Sequence, residues 1–258
     1  IKDDYLRMAV SFHPLLIGGN PFTASSLYSL ISHLEVTGGV WSAMGGTGRI
    51  VEAMGNLIRS QGTSIRLNAE VDQITTASGR VTGVRLKNGE QLNADLVVSN
   101  ADAAWTYRHL LSETKRQKWT DKRVDNAHFS NGLFVWYFGT NKQYHDIPHH
   151  SIVLGPRYKG LLTDIFRNKR MTEDFSLYLH RPTATDPSMA PEGCDTFYAL
   201  VPVPHLDSGT DWTTYAETFR KAVEARLEAT MIPELGKHLA TSLMLTPLDF
   251  QNRLNSVK

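Results

Sequence analysis

The chain has 258 residues, 41% of them hydrophobic, enough for one large core or two smaller ones. Lys and Arg number 27 against 26 for Asp and Glu, so nothing in the charge balance favours a polyanionic partner such as nucleic acid. The single cysteine, Cys194, rules out an internal disulfide framework and agrees with a reducing compartment. The longest apolar run, Leu133 to Phe138, falls far short of the ~20 residues of a spanning helix.

In chain order, the sequence opens at Ile1-Lys2-Asp3-Asp4 without Met, and Tyr5, Met8, Ala9 and Phe12 mark one side of a first helix. Gly18-Gly19-Asn20-Pro21 separates Leu15-Leu16-Ile17 from a second helix, where Leu27, Leu30, Ile31 and Leu34 share a face. That face is expected to be core; the alternative is a surface that dips into lipid. Gly45-Gly46-Thr47-Gly48 starts a third helix with a stripe of Ile50, Val51, Met54, Leu57 and Ile58, ended by Gly62. An anion site at this start is not expected, because the G-x-G-x-x-G spacing and a strand immediately before it are both missing.

Thr63 to Asp102 reads as a β-meander with two glycine turns. Ile65, Leu67, Ala69 and Val71 alternate with polar residues, Val81 to Lys87 follows Ser78-Gly79, and Asn88-Gly89 makes the second turn. Ala94 to Ser99, with Leu96, Val97 and Val98 consecutive, predicts a strand buried on both faces in a parallel sheet. In a doubly wound sheet ligands lie beyond the carboxyl ends of such strands, which places Asn100, Ala101 and Asp102 where a cofactor could be touched.

Trp105 to Leu111 predicts a short helix and Ser112 to Asn126 a charged connector. In the strand LFVWYF, Leu133, Val135 and Tyr137 point one way and Phe134, Trp136 and Phe138 the other. FSLYLH (Phe175 to His180) and FYALVPV (Phe197 to Val203) repeat the pattern. A sheet with helices on one face and an apolar cavity on the other needs this composition, and an ordinary strand core fits it equally. Phe134, Trp136 and Phe138 are the candidates for lining such a cavity.

A last amphipathic helix carries Tyr215, Phe219, Ala222, Val223 and Leu227 and stops at Pro233, after which Met244 to Phe250 turns back. Among ten histidines, His145, His149 and His150 come closest to a metal set, but Pro148 interrupts any helix joining them and no carboxylates complete it, so no metal is expected. His13 and His180 are read as structural, and no nucleophilic dyad is readable around Cys194.

These stretches, in this order, resemble the returning half of the FAD domain in the amine-oxidase-like flavoproteins. SFHPLLIGGNPF (Ser11 to Phe22), SNGLFVWYFGTNK (Ser130 to Lys142), EDFSLYLHRPTATDPSMAPEGC (Glu173 to Cys194) and YALVPVPHL (Tyr198 to Leu206) narrow the resemblance to phytoene desaturases of the bacterial and fungal type. The resemblance implies a mixed α/β (α+β) fold: part of an FAD-binding doubly wound domain, plus a substrate domain with a mixed or antiparallel sheet and helices. Its divisions would be a helical cap at 1–44 that could face a membrane, the returning FAD layer at 45–111, and the substrate domain at 112–258, with strands over about 129–203 and a helix over about 211–232.

The resemblance further implies FAD as cofactor, held by the backbone of Val71 at adenine and by Ser99, Asn100 and Ala101. It implies an apolar carotenoid substrate, phytoene, desaturated toward lycopene with a hydride equivalent passed to flavin. Peripheral contact on the cytoplasmic side of a bacterial membrane follows from that substrate, and a homo-oligomer is compatible. The alternatives are another carotenoid desaturase or isomerase on the same scaffold, or, for this chain alone, a non-redox carrier of apolar ligands. The dinucleotide fingerprint is not in the chain, which resembles an internal portion and is expected not to turn over phytoene by itself. No catalytic residue is assigned.

Overall fold

The structure, a computed structural model, describes residues 2–112, 116 and 118–258. In chain order it contains α1 (Asp4–Val10), α2 (His13–Leu16), α3 (Ser29–Gly38), α4 (Gly48–Ser60), β1 (Val71–Ala77), β2 (Arg80–Leu86), β3 (Gln91–Asn93), α5 (Ala103–Trp105), α6 (Asp121–Asp125), β4 (Gly132–Thr140), β5 (His150–Val153), α7 (Tyr158–Thr163), β6 (Leu177–His180), β7 (Asp195–Val203), α8 (Trp212–Thr230), α9 (Leu235–His238), β8 (Leu239–Leu245) and α10 (Pro247–Leu254). The chain divides into two compact units: one of residues 1–52, 130–248 and Lys258, the other of 53–129 and 249–257.

The first unit is built on an antiparallel sheet in the order β5-β6-β7-β4-β8. β4 and β7 pair over nine residues each, from Gly132 opposite Val203 to Thr140 opposite Asp195. Because directly paired residues share a face, Phe134, Trp136 and Phe138 lie with Val201, Ala199 and Phe197, and Leu179 extends this face into β6. Helix α8 covers it with Trp212, Ala216, Phe219, Val223 and Leu227, a stripe of helical period, and all of these residues are buried. Asp211 starts α8 by accepting from Thr213 N at 3.0 Å, and Pro233 lies just beyond its end, where it cannot continue a helix.

A smaller core joins Phe12 and Leu15 to Tyr158, Leu161, Leu162 and Ile165 of α7 and the turn after it. Helix α3 is another matter. Leu27, Leu30 and Leu34, expected in a core, are exposed, because α3 has no packed layer against that stripe among the described residues. The α4 stripe from Ile50 to Leu57 is exposed in the same way.

The second unit holds the meander as a three-stranded antiparallel sheet, β1-β2-β3. Ser78 and Gly79 both have positive φ (49° and 76°), the two-residue turn whose twist matches the paired strands. Two expectations in this stretch are corrected. Residues 65–70 are not strand: Asn68 takes a left-handed φ of 55°, which breaks the extended run, so β1 begins at Val71. Residues 94–99 are not strand either, and Leu96 and Val98 are 77% and 84% exposed. A strand needs a neighbour to take its backbone bonds, and none of the described strands lies beside this run. Of the connector at 112–126, residues 113–115 and 117 lie outside the described residues, and α6 forms its end.

Gly83 in β2 has φ +145°, and a Cβ there would come within 2.0 Å of Leu92 O on β3. Gly83→Ala is therefore expected to separate β3 from β2, with a cost of about 1–3 kcal/mol from backbone strain alone. Hydrogen exchange checks this: the amide of Val84 should lose protection while that of Phe134 keeps it.

Candidate functional site

Val71 heads β1, an edge strand. It faces Leu86, and the bond from Lys87 N to Glu70 O beside it (2.9 Å) marks the pair as one that exchanges no backbone bonds. The N–H and C=O of Val71 therefore point away from β2, off the open edge. One donor and one acceptor on a single residue match the amino group and ring nitrogen along an adenine edge, so the residue fits the nucleotide end of FAD. Next to it, Asp72 is the extra residue of a bulge, and its carboxylate holds Arg85 at 2.5 Å.

Ser99, Asn100 and Ala101 are exposed and lead into a turn tied at both ends. Ser99 Oγ meets Thr106 Oγ1 at 2.8 Å, and Asp102 Oδ1 accepts from Trp105 N at 3.0 Å. The turn that follows, Thr106–Leu110, packs along β1, which keeps this segment and Val71 in one unit. In the full-length protein, Val71→Ala should leave FAD affinity unchanged, since only backbone is used. Val71→Pro removes the N–H, and a lost hydrogen bond of ~1–2 kcal/mol weakens affinity about tenfold. Fluorescence titration with FAD measures both; equal affinities in two folded variants would refute the contact.

Phe134, Trp136 and Phe138 are placed differently from the cavity-lining expectation. All three are buried in the core, Phe134 edge-on to Phe219 at 5.0 Å, and Trp136 donating from Nε1 to Ser242 Oγ at 2.7 Å. The reason is α8, which occupies their face of the sheet. The opposite face carries the row Ile152, Tyr178, Leu200, Val135 and the row His150, His180, Tyr198, Tyr137. Towards β8 this face is open: Tyr137 is 42% exposed and Leu243, its partner, 54%. The face with room for an apolar ligand is thus the one bearing the odd-numbered residues of β4.

At the β5 end of the same face, His149, His150 and His180 each bring a ring nitrogen within 4.8 Å of the others. Of the three histidines that come closest to a metal set in the sequence, His145, His149 and His150, two are in this group. His145 is not in the group; His180 takes its place because antiparallel pairing sets it opposite His150. A histidine at the start of HSIV and another at the end of LYLH would have signalled this, once the two strands were known to pair. His13 bonds Glu35 at 3.0 Å and Ser32 at 3.3 Å, a structural arrangement.

A buried ion pair anchors the loops at this end of the sheet. Asp195 accepts from Arg181 Nε and Nη2 at 3.0 and 3.1 Å, from Thr183 Oγ1 at 2.6 Å and from Tyr144 N at 2.7 Å.

An edge strand whose first residue turns its backbone away from its neighbour, a meander and a separate antiparallel sheet with one partly open face are the features the described residues bring together. The profile of the flavin containing amine oxidoreductase family matches residues 1–162, and the chain belongs to this family. It is 52% identical to the neurosporene-forming phytoene desaturase of Cereibacter sphaeroides, over 98% of this chain and 50% of that protein. It is 46% identical to the lycopene-forming phytoene desaturase of a Paracoccus species, over 99% of this chain and 51% of that protein. The chain spans about half the length of the curated relatives it matches. Among solved structures, an oxidoreductase from Methanosarcina mazei superposes with a TM-score of 0.67 at 19% identity, covering 95% of this chain and 53% of that one. Cyclohexylamine oxidase from Brevibacterium oxydans gives 0.52 at 12% identity, covering 98% and 52%. These two likenesses establish the fold.

Proposed function

We propose that this chain is part of an FAD-dependent phytoene desaturase of carotenoid biosynthesis. The observation that carries the reading is the 44–52% identity to phytoene desaturases over nearly the whole chain. Bound flavin would supply the oxidising power, accepting a hydride equivalent as hydrogen leaves adjacent carbons of the polyene. The chain's own residues position the partners. Val71 holds the adenine end by its backbone, and Ser99 to Ala101 lie on the segment expected to approach the cofactor.

Phytoene has no polar handle, so its binding rests on apolar area at about 25 cal/mol per Å² buried and on the shape of the surface it meets. Tyr137, Ile152 and Leu243 offer that surface. Lycopene as product is our reading, with neurosporene, one desaturation earlier, as the alternative suggested by the relative from Cereibacter. No helix among the described residues is long and apolar enough to cross a membrane. Access to a lipid-dissolved substrate would then be peripheral, from the cytoplasmic side, with the exposed α3 stripe as the contact.

Expression of the full-length gene in phytoene-accumulating cells, with pigment analysis, tests the reading. Lycopene or neurosporene should appear at the expense of phytoene; unchanged phytoene in cells that contain the folded flavoprotein would overturn it.

A further inference from the structure

The histidine cluster at the edge of the five-stranded sheet plays no part in the desaturation described above. His149 directly precedes β5, His150 is its first residue and His180 is the last of β6. We propose that His149, His150 and His180 form a binding site for a borderline divalent cation of the Zn²⁺ type, one ring nitrogen from each and a fourth position open to solvent.

Four observations converge on it. The three ligand atoms already lie within 4.8 Å of one another; nitrogens on a tetrahedral Zn²⁺ at 2.0–2.1 Å sit about 3.3 Å apart, so closure by ring rotation is about 1.5 Å or less. His149 Nε2 is buried and has no hydrogen-bond partner among the described residues, an exposed cost that a cation would remove. The other nitrogens are oriented by hydroxyls: His149 Nδ1 to Thr185 Oγ1 at 2.5 Å, and His150 and His180 Nδ1 both to Tyr178 OH, at 2.6 and 2.9 Å. The Tyr178 oxygen has two lone pairs and can accept an Nδ1–H from both rings, and in that state each ring presents a bare Nε2. This is the outer layer that metal-binding histidines use to fix their tautomer. Finally, the neighbouring Arg181 does not repel a cation, because Asp195 neutralises it at 3.0 Å.

Neutral imidazole suits Zn²⁺, Cu²⁺ and Ni²⁺ rather than Mg²⁺ or Ca²⁺. His150 is exposed and provides the way in. A cation here would tie the end of β5, an edge strand, to β6 and so resist fraying of that edge.

Equilibrium dialysis of the purified full-length protein against Zn²⁺ alone, followed by elemental analysis, tests this. One Zn²⁺ per chain is expected. His150→Ala, at an exposed position that leaves the fold intact, should weaken binding more than tenfold, and Tyr178→Phe about tenfold through the lost orienting hydroxyl. His33→Gln, outside the cluster, should change nothing. Zn²⁺ binding that is absent in the folded wild type, or that is the same in His150→Ala as in wild type, overturns the site. Because the readout is metal content and not pigment, it fails or succeeds independently of the desaturase reading.

Discussion

Asp195→Ala is expected to lower the free energy of unfolding of the first unit by about 3–5 kcal/mol, among the largest effects of any single substitution in the chain. The Asp195 side chain is fully buried and that of Arg181 is 5% exposed. Removing the carboxylate strands the guanidinium in the core with one remaining bond, from Nη1 to Ile147 O at 2.9 Å, and leaves Tyr144 N and Thr183 Oγ1 without their acceptor. The double variant Asp195→Leu with Arg181→Met removes both charges together and should cost less than Asp195→Ala, since the penalty lies in the orphaned charge and not in the missing bond. Urea unfolding followed by fluorescence of the buried Trp136 and Trp212 reports this unit. A midpoint for Asp195→Ala within error of wild type would show that the pair does not hold the loops.

Phe219→Ala is the second large effect, at about 3–5 kcal/mol. The ring is buried and packs edge-on to Phe134 at 5.0 Å and Phe175 at 5.2 Å, with Trp212 and Tyr215 at 6.1 and 5.9 Å. Those neighbours come from β4, the approach to β6 and α8 itself, so no single shift can fill the space left behind. Phe219→Leu keeps much of the volume and should cost about 1.5 kcal/mol or less. The same unfolding experiment orders the three proteins; Phe219→Ala no worse than Phe219→Leu would mean that α8 is not clamped on the sheet through this ring.

Much of this architecture is legible in the residues. The period-two runs at 133–138, 175–180 and 197–203 become β4, β6 and β7, and the stripe from Phe219 to Leu227 becomes the buried side of α8. The two glycine turns fold the meander. What period alone could not decide was which face of β4 is open, because both are apolar. That choice belongs to α8, some eighty residues away, and it reassigns Phe134, Trp136 and Phe138 to the core. β8 was missed altogether: Thr241 and Ser242 interrupt LATSLML, and the strand exists because the edge of β4 is there to pair with. The run at 96–98 is the reverse case, strand-like in composition but without a neighbour. His149, His150 and His180 meet across a ladder, which no spacing along the chain reveals. The outward direction of the Val71 backbone on the edge strand β1 is a property that its side chain does not report.

The strict alternation of β4 has an evolutionary corollary. Even-numbered positions from 134 to 138 are spent on holding α8, while Leu133 and Tyr137 face the other way and are not buried, so tolerance to substitution should be higher at 133 and 137 than at 134, 136 and 138. Descendants can therefore explore positions 133 and 137 without eroding the scaffold. On a strand that separates robustness from innovation in this way, the open face can change one codon at a time.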